Sequence, residues 1–156
     1  MGMKKKTPED YGINYYTWNP DGTLSVKGDV YLSARGLKAL PFKFKDVSGA
    51  FDCSYNSLKS LEGAPQNVGG YFYCPANKLT SLKGAPQKVG GGFYCSSNKL
   101  TSLKGAPHTV SRYFDCSSNP REFTEKEIKA AMNPPSNTIP FIKSLEREFL
   151  KKKRSQ

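Results

Sequence analysis

One histidine and one tryptophan occur in the 156 residues, and acidic side chains are scarce, 13 against 24 Lys and Arg. A lone histidine leaves no His cluster for a metal. His108 stands where Gln66 and Gln87 stand in neighbouring repeats, which reads as a surface loop substitution. No G-x-S-x-G elbow and no G-x-G-x-x-G loop after a strand is present, and the acids include no pair at catalytic spacing. The sequence therefore points away from an enzyme, with no catalytic residues, no metal and no cofactor expected. No run of about 18 apolar residues exists, so no transmembrane helix or membrane insertion is expected. The basic Met1–Lys6 is followed by Thr7-Pro8-Glu9-Asp10, so no secretory signal is readable. Hydrophobic residues are only 37%. Gly 14 and Pro 11 disfavour a helical bundle.

What the chain does have is positive charge, a formal net +11. Residues 1–29 hold four positive and four negative side chains, which cancel. Residues 30–120 hold eleven and four, and residues 121–156 hold nine and five. Lys4-Lys5-Lys6 and Lys151-Lys152-Lys153-Arg154 read as solvated tails. The excess in the middle recurs in register.

That register is a 21-residue repeat. Cys53, Cys74, Cys95 and Cys116 are spaced by 21, and so are Phe51, Phe72, Phe93 and Phe114, and Asn56, Asn77, Asn98 and Asn119. Leucines, the Gly-Ala-Pro proline and a valine follow at the same interval, and residues 72–92 match 93–113 at 14 of 21 positions. A weaker copy precedes them, with Val30, Leu32, Leu37, Leu40 and Val47 at the apolar positions and Arg35 in place of Asn. About four and a half units fill residues 30–120. A strict period of this length implies a solenoid whose turns stack on one another.

The unit reads F-x-C-x-x-N-x-L-x-x-L-x-G-A-P-x-x-V. Phe and Cys, two apart, face one side of a strand. Asn turns the chain, and its amide can bond backbone groups or the Asn of the next turn. The leucines point inward, Gly-Ala-Pro makes a bend, and Val returns to the core.

Phe72-x-Cys74-x-x-Asn77-x-Leu79-x-x-Leu82 resembles the leucine-rich repeat, most of all the short repeats of bacterial effectors and the Cys-Asn repeats of phage-encoded proteins. It departs at the earliest leucine position, where Gly69 or Gly90 stands. The resemblance implies a mainly β repeat solenoid and an accessory protein of a phage or bacterium that modulates a host factor.

The ends read as caps. Residues 1–29 are a tail and a β-hairpin, Ile13–Trp18 and Thr23–Val26 joined by a type I turn at Asn19–Gly22. Residues 121–156 are a helical cap and basic tail, with a Thr124/Glu127 capping box opening a helix through Met132. A second helix is expected from about Thr138, with Ile142, Leu145 and Phe149 on one face.

Stacked turns lie about 4.7–4.9 Å apart, so the four sulfurs would form a line roughly 14 Å long rather than the convergent set that tetrahedral zinc needs. The cysteines read as buried core thiols, which suits a reducing cytoplasm.

Function is then a matter of surface. One outward column is Tyr31, Asp52, Tyr73, Tyr94 and Asp115, and the column two residues earlier is Asp29, Ala50, Tyr71, Gly92 and Tyr113. Tyr favours strands for packing reasons alone, but a Tyr/Asp sheet face also suits docking of a protein. The leading expectation is a protein partner, partly acidic, held by Tyr31, Asp52, Tyr71, Tyr73, Tyr94, Tyr113 and Asp115. Lys78, Lys83, Lys99 and Lys104 recur as a basic flank. They either keep the protein soluble or steer it to an acidic partner or nucleic acid. A nucleic-acid-associated protein and a structural virion subunit stay open as alternatives, and so does the oligomeric state.

Overall fold

The computed structural model of the chain describes residues 2–132. After a 3-10 turn at Pro8–Tyr11, β1 (Tyr16–Trp18) and β2 (Leu24–Val26) form an antiparallel hairpin. There follow β3 (Val30–Tyr31), β4 (Phe44–Val47), β5 (Phe51–Asp52), β6 (Asn67–Val68) and β7 (Phe72–Tyr73). Then come β8 (Lys88–Val89), β9 (Phe93–Tyr94), β10 (Thr109–Val110), β11 (Phe114–Asp115) and the helix α1 (Glu125–Met132). Strands β3, β5, β7, β9 and β11 make one parallel sheet. Strands β2, β4, β6, β8 and β10 make a second, with β1 added at its edge. The result is a mainly β solenoid of about four turns, closed by one short helix among the described residues.

Two-residue strands suffice because each coil must turn again at once, and the ladders run between coils rather than along them. Phe51 pairs with Phe72, Phe72 with Phe93 and Phe93 with Phe114, a shift of one repeat every time. Val47, Val68, Val89 and Val110 do the same in the second sheet. Identical residues therefore stack in columns. The Phe51, Phe72 and Phe93 rings lie 5.4 and 5.3 Å apart with planes within 5°. Phe44 meets Phe51 edge-on at 5.0 Å. Leu58, Leu61, Leu79, Leu82 and Leu100 are fully buried, each contributing about 2 kcal/mol of apolar burial. The weak first unit packs less completely: Val30, Leu32 and Val47 are buried, while Leu37 and Leu40 are only half-buried.

The corners are made by hydrogen bonding. Asn77 donates to the carbonyls of Cys53 (3.0 Å), Cys74 (3.2 Å) and Pro75 (3.4 Å), and its Oδ1 accepts the Leu58 N–H at 3.0 Å. Asn56 and Asn98 repeat this pattern toward the coil before them. The expectation that successive Asn side chains bond one another is not met among the described residues. Each amide is fully used by backbone, because the corner leaves carbonyls and amides that no ladder satisfies. The residue before each Asn, or before Arg35, is left-handed although it is not glycine: Ala34, Tyr55, Ala76, Ser97 and Ser118 all have φ of 53–54°. At the other corner a Cβ on Gly69 would stand 2.1 Å from the Ser48 carbonyl oxygen, and one on Gly90 2.2 Å from that of Gly69. Only glycine lets the coils approach there.

The hairpin strands are shorter than the expected Ile13–Trp18 and Thr23–Val26, running Tyr16–Trp18 and Leu24–Val26. Gly22 N–H bonds the Asn19 carbonyl at 3.0 Å, and Gly22 itself is left-handed at φ 82°. Its second strand is also a rung of the solenoid, since β2 pairs with β4. The tail before it holds an unforeseen 3-10 turn, begun by Pro8 and fastened by Thr7 N–H to the Asp10 carboxylate at 2.8 Å. At the far end the capping box is present: Thr124 N–H bonds the Glu127 carboxylate (2.8 Å) and Glu127 N–H bonds Thr124 Oγ1 (3.2 Å). Met132 is buried as part of the hydrophobic core. The second helix expected from Thr138 lies outside the described residues. No helix among the described residues is long and apolar enough to cross a membrane.

Candidate binding face

Outward positions of the β3–β11 sheet bring the two expected columns together. Tyr31 pairs with Asp52, Asp52 with Tyr73, Tyr73 with Tyr94 and Tyr94 with Asp115. The Tyr73 and Tyr94 rings stack at 4.9 Å with planes 15° apart. Tyr71 joins them, 5.9 Å from Tyr73 and 6.2 Å from Tyr94. These three rings are half-buried in their own stack, whereas Tyr31 and Tyr113 are 58% and 53% exposed. Gly92 makes the stack possible. A Cβ there would sit 2.8 Å from the Tyr94 ring, so Tyr94 leans along its strand over bare backbone.

The carboxylates on this face are committed locally. Asp52 accepts both Ser54 N–H (2.9 Å) and Ser54 Oγ, and Asp115 accepts Ser117 N–H (3.0 Å) and Oγ (2.6 Å). Asp29 accepts the Ala50 N–H at 2.7 Å and the Tyr31 hydroxyl at 3.1 Å. That bond to Asp29 pushes the Tyr31 phenol above its ordinary range. Tyr94 is pushed up chiefly by burial, then by the neighbouring Tyr73 and Tyr71 hydroxyls. Both phenols are thus neutral donors at physiological pH. The face presents aromatic area and hydroxyls, rimmed by anions that are half satisfied.

The lysines lie elsewhere. Lys78, Lys83, Lys99 and Lys104 are all exposed, on the segments that carry the chain from one sheet to the other. Lys78 and Lys99 occupy equivalent positions in successive coils, as do Lys83 and Lys104. Tyrosines and lysines are therefore not interleaved on a single surface. His108 is exposed in the loop before β10.

Cys53, Cys74, Cys95 and Cys116 are free thiols in the core. Burial pushes all four above the ordinary thiol range, which disfavours the thiolate at each position. Among the described residues no cluster of His, Cys, Asp and Glu converges as a metal site.

Three features of the surface escaped the sequence reading. The Asp-x-Ser clamps at Asp52/Ser54 and Asp115/Ser117 were visible as a short local motif. Arg35, in the Asn column, lays its guanidinium 5.4 Å from the Tyr11 ring and donates to the Tyr31 carbonyl at 3.3 Å. Trp18, half exposed on the hairpin, packs edge-on with Tyr16 at 6.3 Å and Phe42 at 5.9 Å. Compared with family models, curated proteins and solved structures, the chain matches none of them.

Proposed function

We propose that this chain is a non-enzymatic, leucine-rich-repeat-like binding module that docks a protein partner on its Tyr/Asp sheet face. The observation that carries the reading is the ring cluster of Tyr71, Tyr73 and Tyr94 on the same face as the exposed Tyr31 and Tyr113. Stacked phenols have already lost most of their rotamer freedom, so contact made through them costs little further ordering. The Asp52 and Asp115 carboxylates set an anionic rim that disfavours phosphate and favours polar or cationic groups directly over the rings. A partner acidic elsewhere would be steered by the exposed lysines of the segments that connect the two sheets. A phage or bacterial accessory role fits this reading, and the neutral core thiols fit a reducing compartment.

Tyr73→Ala combined with Tyr94→Ala is expected to abolish capture of the partner in a pull-down from the source cell, with the far-ultraviolet circular dichroism unchanged. Unchanged capture would remove the face from consideration. A second reading has its own support in the exposed pairs Lys78/Lys99 and Lys83/Lys104. If nuclease treatment abolishes capture, and retention on single-stranded nucleic acid falls steeply with salt, a nucleic-acid-associated role replaces the protein-docking one.

A further inference from the structure

The hairpin edge carries a second surface, separate from the tyrosine columns. Strand β1 pairs with β2 on one side only. The Tyr15 carbonyl accepts Lys27 N–H, and Asn19 N–H donates to the Thr23 carbonyl. Antiparallel alternation then turns the backbone N–H and C=O of Tyr16 and Trp18 away from β2, onto the open edge. Their side chains look into a groove of about 490 Å³ whose walls include Pro8, Pro41 and Phe42. Lys5, Lys6 and Lys43 line the same groove. Lys6 is held by the Tyr11 ring, 5.5 Å from its centroid. One acid, Glu9, is present, and its carboxylate already accepts the Tyr16 hydroxyl.

From these features we infer that the β1 edge and its Trp18/Phe42 groove form a docking site for an extended acidic peptide. Such a peptide would add as a strand to the open amides of Tyr16 and Trp18. Its acidic side chains would meet Lys5, Lys6 and Lys43, and its apolar ones would cover the exposed half of Trp18. Charge selects this occupant over the protein's own C-terminal segment. Residues 133–156 carry six Lys and Arg against two Glu, the same sign as the groove.

Trp18 is the only tryptophan, so its emission reports on this site alone. The full chain is titrated with a synthetic peptide whose every second residue, on one strand face, is glutamate or phenylalanine in turn. A saturable shift in Trp18 emission that weakens with salt is expected. It should be retained in Tyr73→Ala/Tyr94→Ala, which separates this site from the tyrosine face. The Lys5→Glu/Lys6→Glu/Lys43→Glu variant should lose about tenfold or more in affinity. The same loss is expected on unmodified protein when the peptide's glutamates are replaced by lysine, so the inference does not depend on that variant folding. A proline at every second peptide position should abolish the shift by removing the ladder donors. An equal response to the proline or lysine peptide overturns the inference. So does a stronger response to oligothymidylate, which would assign the groove to single-stranded nucleic acid. A protein that sediments as a dimer and gives no peptide response would overturn it in favour of a second copy.

Discussion

The asparagine at each corner carries more of the structure than its size suggests. Asn77 satisfies groups from two coils at once: the Leu58 N–H and Cys53 carbonyl of the coil before it, and the Cys74 and Pro75 carbonyls of its own. It also follows Ala76, held at φ 54°, where an L-residue is strained. The side chain thus stabilises a backbone turn that no local propensity favours. Asn77→Ala strands the buried Leu58 N–H and is expected to cost about 3 kcal/mol, read as a lower denaturation midpoint with the slope unchanged. Asn119→Ala, at the partly buried last corner, should cost less. Asn119 makes the same bonds to the coil before it, so equal losses at the two positions would show that burial of the stranded groups does not set the cost. Asn columns were legible in the sequence as turns, because few residues serve that role every 21 positions. Their partners were not legible, since a side chain choosing between its neighbour's amide and a backbone carbonyl is decided by corner geometry.

Among the elements, α1 has the clearest electrostatic signature. Arg121 donates to Glu127 at 2.9 Å, and Thr124 N–H adds a second bond. Together, the Arg121 contact first, they hold the Glu127 carboxyl down at about 2, against an ordinary 4.5. A carboxylate whose folded pKa is lowered stabilises the folded form above its unfolded pKa. That contribution fades as pH falls from 4.5 toward 2. The protection factors of the α1 amides, taken relative to intrinsic exchange at each pH, should therefore fall across that interval while those of β7 and β9 hold. Glu127→Gln should remove the pH dependence of these protection factors in α1, and persistence of that dependence would locate its origin elsewhere. Both the capping box and the hairpin turn were readable beforehand, because each is a local rule with a fixed spacing. The 3-10 turn at Pro8–Tyr11 is a weaker signal, spelled only by Thr7, Pro8 and Asp10 directly after a lysine run. Within the tyrosine face, the columns followed from the period, but the lean of Tyr94 over Gly92 depends on a missing Cβ two residues away.

Over the whole molecule, four chemically equivalent thiols mark four successive coils. Cys53, Cys74 and Cys95 are fully buried, while Cys116, in the last coil, is 7% exposed. In a stack where each coil touches only its neighbours, the ends open before the middle. A thiol reagent in mild denaturant should modify Cys116 first and Cys74 only with global unfolding, as followed by peptide mapping. Identical rates at all four would mean that the array melts as one unit.

The strict register has a consequence for how such a protein changes through descent. Residues 72–92 meet the coil before and the coil after through the same pairings, Phe on Phe and Val on Val. Deleting or duplicating that segment would bring like surfaces back into contact. Array length is therefore a heritable variable nearly free of folding constraint, and a lineage could lengthen or shorten its docking surface one coil at a time while both ends stayed the same.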